Sequence, residues 1–65
     1  MELRQTGIKV KLIGEDGNAF YILGKVSREL RKAGEAELAK AFMEEAMKGD
    51  YDHLLRTCMQ VVKVY

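Results

Sequence analysis

The chain has 65 residues, of which 48% are hydrophobic and 32% charged, with a formal net charge of +1. This describes a single globular domain near the lower size limit for an autonomous core, not a disordered tail. The charge sets up no global field for nucleic acid or a membrane. The longest apolar run, Ala19 to Leu23, is far short of the roughly 20 residues of a membrane helix.

Residues 1–7 show no period and are expected to fray. No apolar h-region follows Glu2 and Arg4, so a secretory signal is not expected. From Ile8 the pattern alternates. Ile8, Val10 and Leu12 point one way, Lys9 and Lys11 the other, which predicts a half-buried strand with a lysine-bearing wet face. Gly14-Glu15-Asp16-Gly17-Asn18 is turn-forming and ends it.

Asn18 is placed as an N-cap, with Asp16 as the alternative. Downstream, Ala19, Ile22, Leu23, Val26, Leu30 and Ala33 line one face of a helix, and Phe20 widens that face. Gly24 lies inside it, either as a tolerated exposed glycine or as a point of close contact with another backbone. Gly34 suits the position just past the helix end, with Arg31 and Lys32 beside the negative pole. A second helix follows at once. Glu35 and Glu37 suit its first turn, Leu38, Ala39, Phe42 and Ala46 form its stripe, Met43 or Met47 flanks it, and Glu44 and Glu45 face water.

Gly49-Asp50 ends that helix and caps a third, in which Tyr51, Leu54, Leu55 and Cys58 share a face. The tail Val61-Val62-Lys63-Val64-Tyr65 favours a strand, with Val62 and Val64 facing in and Lys63 out. A lone strand at Ile8 needs a partner, and the tail is the candidate. The sequence therefore predicts a single α+β domain, β-α-α-α-β, with three helices packed on a two-stranded sheet formed by the chain ends. The alternative is a mainly α fold in which helix three runs to the C-terminus.

No catalytic constellation emerges. The Glu15-Asp16 loop before a helix could hold an anion at the helix N-terminus, but its carboxylates would repel a phosphate, and the glycine fingerprints of nucleotide loops are missing. Asp16 and Asn18 begin like a calcium loop, which fails at Phe20 and Ser27. Asp50, Asp52, His53 and Cys58 include every metal-ligand type, but His53 and Cys58 are badly spaced for one helix face; Asp50 reads as a cap and Cys58 as a core residue. Ser27 has no base at a useful spacing. The expectation is a protein that is not an enzyme and needs no cofactor. A single cysteine forms no internal disulfide and points to a reducing, cytoplasmic compartment.

Residues 24–33 hold four cations against one anion. Lys25, Arg28, Arg31 and Lys32 are thus candidate phosphate contacts, joined by Lys9, Lys11 and Lys63. Glu29 interrupts this stripe and no aromatic residue is interleaved among its cations, so a solvated face is the stronger reading. Tyr21, Met43, Met47 and Met59 exceed what one helical face can bury and form the candidate interaction surface, for an unidentified protein or a second copy of the chain. A protein-interaction module is the leading functional expectation; a nucleic-acid-binding module is the alternative.

The segments GEDGNAF, ILGKV, LRKAG and GDYDHLLRTCM, with the valine-rich end, resemble a family of small uncharacterised bacterial and phage-associated proteins. The likeness covers roughly residues 8–64. GEAELAK is shorter than the family's link between the first two helices. The resemblance implies a shared fold and no assigned activity, ligand or catalytic residue.

Overall fold

A strand near the start of the chain needs a neighbour for its backbone N–H and C=O groups, and the C-terminal tail supplies it. In the computed structural model, which describes residues 3–12 and 18–65, β1 (Lys9–Val10) pairs in parallel with β2 (Lys63–Val64). Lys9 stands opposite Lys63 and Val10 opposite Val64. The ladder continues beyond these residues: Lys63 N donates to Ile8 O at 2.8 Å and Leu12 N to Tyr65 O at 2.7 Å. Parallel strands require a crossover of a dozen or more residues. Here that crossover is three helices, α1 (Ala19–Lys32), α2 (Ala36–Ala46) and α3 (Tyr51–Val61).

The strand–three helices–strand order expected from the sequence is the observed one. Helix α3 stops at Val61, where Val62 turns to extended backbone with φ −136° and ψ 166°, and does not run to the end. Alternation sorts the strand side chains. Val10, Leu12 and Val62 are buried and Val64 is half-buried, whereas Lys9, Lys11 and Lys63 are exposed.

The helix ends follow local chemistry. Asn18 Oδ1 accepts from Tyr21 N at 3.1 Å and Asp50 Oδ1 from His53 N at 3.0 Å, caps each worth about 0.5–2 kcal/mol. The alternative cap Asp16 and the turn at 14–17 lie outside the described residues. At the end of α1, Gly34 adopts φ +82°. Gly34 N then bonds to Arg31 O at 3.0 Å and Glu35 N to Leu30 O at 2.8 Å, the paired bonds of a Schellman motif that only a residue tolerant of positive φ closes cheaply. At the α2–α3 corner, His53 Nε2 reaches back to within 2.9 Å of Glu45 O and 3.0 Å of its carboxylate. His53 lies so close that a Cβ on Gly49 would sit 2.7 Å from its side chain, so this corner requires glycine.

The core joins Ile22, Val26 and Leu30 of α1, Leu38, Ala39, Phe42 and Ala46 of α2, and Leu54, Cys58 and Val61 of α3, closed by Val10, Leu12 and Val62. The second and third helical faces are as expected. The first is not, because Ala19 and Ala33 are exposed and Phe20 is 83% exposed. Phe20 lies on the flank of the α1 stripe in the first turn, beside the end of α2, where no element among the described residues covers it. On the same flank two turns on, Ser27 is buried, its hydroxyl donating to Met43 Sδ at 3.3 Å.

Fraying does not describe residues 3–7. Leu3 packs against the core. Gln5 Nε2 donates to Met59 O at 2.9 Å and Val62 O at 3.2 Å. Thr6 donates to Val61 O through its backbone N–H at 3.0 Å and its hydroxyl at 2.6 Å. The last carbonyls of a helix have no donors within it, and this aperiodic segment supplies them. Arg4 adds a hydrogen bond that holds the Glu35 carboxyl below its ordinary range and raises the guanidinium's own value.

Removing residues 61–65 deletes two fully buried valines and the strand that pairs with β1 among the described residues at once. A chain ending at Gln60 is expected to lose its cooperative thermal transition, measured by circular dichroism; retention of that transition would contradict the pairing.

Candidate functional site

The four residues singled out for an interaction surface do not come together. Met43 is half-buried between α2 and α1, its sulfur accepting from Ser27 and lying 3.9 Å from Arg31 Nη2. Met59, 57% exposed, sits on α3 beside the N-terminal segment. Tyr21 turns toward cations, with Lys25 Nζ 5.8 Å from its ring centroid. Only Met47, 67% exposed, borders an apolar cleft.

That cleft, of about 280 Å³, opens where the first turn of α1 meets the end of α2 and the start of α3. It is lined by Ala19, Phe20 and Leu23 of α1, by Ala46 and Met47 at the end of α2, and by Gly49, Asp50, Tyr51 and Leu54 at the start of α3. Phe20 is the residue that sequence reasoning assigned to the core and so missed as surface. The available signal was weak: Phe20-Tyr21 sits in the first turn of α1, where an apolar residue on the flank of the stripe is covered only if a neighbouring helix extends that far.

The cations divide into two groups. Arg28, Arg31 and Lys32 border a shallow groove with Gly24, Ser27 and Met43. Lys25 leans the other way and donates to Lys11 O at 2.8 Å, tying α1 to the edge of β1. Glu29 is half-buried and pairs with Lys32 at 3.8 Å, so it offsets the last cation of α1. A shallow depression on the sheet holds Lys9, Lys63, Val64 and Tyr65. The parallel register alone creates this group.

The residues weighed for metal or nucleophilic chemistry are dispersed among structural partners. Asp50 caps α3, His53 bonds to Glu45, and the Ser27 hydroxyl goes to a sulfur. Among the described residues, no three His, Cys, Asp or Glu side chains group as metal ligands. Cys58 is fully buried, and desolvation pushes its thiol up to about 11. No helix among the described residues is long and apolar enough to cross a membrane. No family model, curated protein or solved structure matches the chain.

Two outcomes check this assignment. A Cβ on Gly24 would have no heavy atom within 4 Å, so Gly24→Ala is expected to stabilise the domain by about 0.5–1 kcal/mol through helix propensity alone, read as a higher urea midpoint; a lower midpoint would mean that this position is held by a contact. The Cys58 thiol favours its neutral form in the fold. Its stabilising contribution is complete below the ordinary thiol value near 9 and is lost as pH rises toward about 11. Native protein should therefore react far more slowly with a thiol reagent at neutral pH than urea-unfolded protein; equal rates would place the thiol at the surface.

Proposed function

We propose that this protein is a non-enzymatic, cytoplasmic protein-interaction module that docks an apolar surface at the cleft between its three helices, with a second copy of the chain as the occupant. One observation carries the reading: Phe20, 83% exposed, and Met47, 67% exposed, flank the same apolar cleft. Covering a phenylalanine relative to leaving it in water is worth roughly 1.5–3 kcal/mol. A domain of this size buries only about 60% of its unfolded surface, so each kilocalorie gained by association matters.

The pairing supported is isologous, the commonest symmetry for two identical chains. Phe20 borders a cleft lined also by Leu23, Met47, Tyr51 and Leu54, so the exposed ring and the apolar surface it would cover lie on one face of the chain, as a self-complementary contact requires. The resemblance to small bacterial and phage-associated proteins adds no ligand and no catalytic residue, and the reading rests on the cleft. The titratable groups in structural roles, with Asp50 in a cap and His53 on Glu45, support a module that performs no chemistry.

Sedimentation equilibrium tests it. The mass is expected to rise from 7.4 kDa toward twice that value with concentration. Phe20→Ser with Met47→Ser should hold it at the monomer value without lowering stability, because both side chains are already exposed. A wild-type mass of 7.4 kDa at the highest concentration would remove self-association and assign the cleft to a different protein.

A further inference from the structure

The surface opposite in character to the cleft is basic and aromatic. On the outer side of α1, Tyr21, Lys25, Arg28 and Lys32 recur at spacings of 4, 3 and 4 residues; the Lys25 side chain leans from that row toward β1, while Arg28 and Lys32 border the groove shared with Met43. Lys25 stitches that row to β1 through its bond to Lys11 O. Beyond that edge the sheet presents Lys9, Lys11 and Lys63 to solvent, with Tyr65 53% exposed beside them.

The register sets Lys9 directly beside Lys63, and like charges facing each other across a ladder are destabilising. The ion pairs among the described residues involve Arg4, Lys32, Lys48 and His53. No carboxylate among them neutralises Lys9, Lys11, Lys25, Arg28 or Lys63. From the sequence, two features weigh against phosphate binding: Glu29 interrupts the stripe, and no aromatic residue is interleaved among the cations; Glu29 stays beside Lys32 at 3.8 Å, so the first still applies to that residue. The second is met by the fold, which places Tyr21 under Lys25 and Tyr65 beside Lys63.

The geometry points to a single-stranded nucleic acid as the ligand of this joined sheet-and-helix surface, its phosphates meeting the lysines and Arg28 and its bases stacking on Tyr65 and Tyr21. Charge complementarity selects a polyanion. The two exposed rings select unpaired bases, which offer faces for stacking that a duplex keeps internal. None of these residues lines the Phe20 cleft, so the inference stands or falls independently of the apolar reading.

The test is fluorescence anisotropy with a labelled oligothymidylate of about 15 nucleotides, a duplex of equal length and poly-L-glutamate, titrated between about 20 and 200 mM salt. The single strand is expected to bind more tightly than the other two probes. With about four phosphates neutralised, log K should fall against log salt with a slope near −2.8. Lys9→Gln with Lys63→Gln should reduce that slope to about −1.4, and Tyr65→Ala should weaken the single strand and leave the duplex unchanged. Lys40→Gln with Lys48→Gln removes equal charge from α2 and the turn after it and should leave the slope unaltered. All substituted positions are exposed, and matching melts confirm folding. Absence of binding at the lowest salt, equal losses from the α2 control, or a duplex bound as tightly as the single strand would each overturn the proposal. Preference for poly-L-glutamate would replace it with an acidic protein partner.

Discussion

The parallel pairing of the two chain ends is the constraint on which the molecule depends. Each helix has only 14, 11 or 11 residues, lengths at which an isolated helix is marginal in water. Their stability comes from packing, and the packing closes only when Val10, Leu12 and Val62 cover the open side of the helical layer. The pairing also dictates the connection. Two antiparallel strands would need only a short turn, whereas these two demand a crossover, and that crossover is the remainder of the domain.

A small core leaves little tolerance for unmet polar groups, and the corners show how they are met. Among the described residues, no buried side-chain nitrogen or oxygen lacks a partner. Thr57, fully buried, donates to His53 O at 2.7 Å, one turn back in its own helix. His53 thereby links three features: its backbone is capped by Asp50, its carbonyl receives Thr57 and its ring closes the end of α2. The sole histidine, considered first as a ligand, is a structural fastener.

The sequence made the architecture readable wherever the signal was local. The change of period after Asn18, the caps Asn18 and Asp50, the glycine past α1 and the valine-rich tail all report on a few neighbouring residues, and all appear as expected. What escaped was non-local. Residues 3–7 have no period because their partners are the carbonyls at the end of α3, more than fifty residues away. Helical periodicity puts Phe20 near the apolar face but carries no information on where along α1 the neighbouring helix stops. Tyr21 sorted with the methionines by composition and with the cations in space. The Lys9–Lys63 neighbourhood exists only once the register is known.

Because the strands are parallel, the end of the chain leading into β1 and the end leaving β2 depart from opposite ends of the ladder. Tension applied between residue 8 and residue 65 would slide one strand along the other. The bonds of Ile8, Val10 and Leu12 to Lys63 and Tyr65 would share that load and have to rupture together, instead of opening one at a time as a zipper does. A strand pair of minimal length thus resists extension along the axis on which its own chain would pull, and on the N-terminal side the bonds of Gln5 and Thr6 to the end of α3 would share that load.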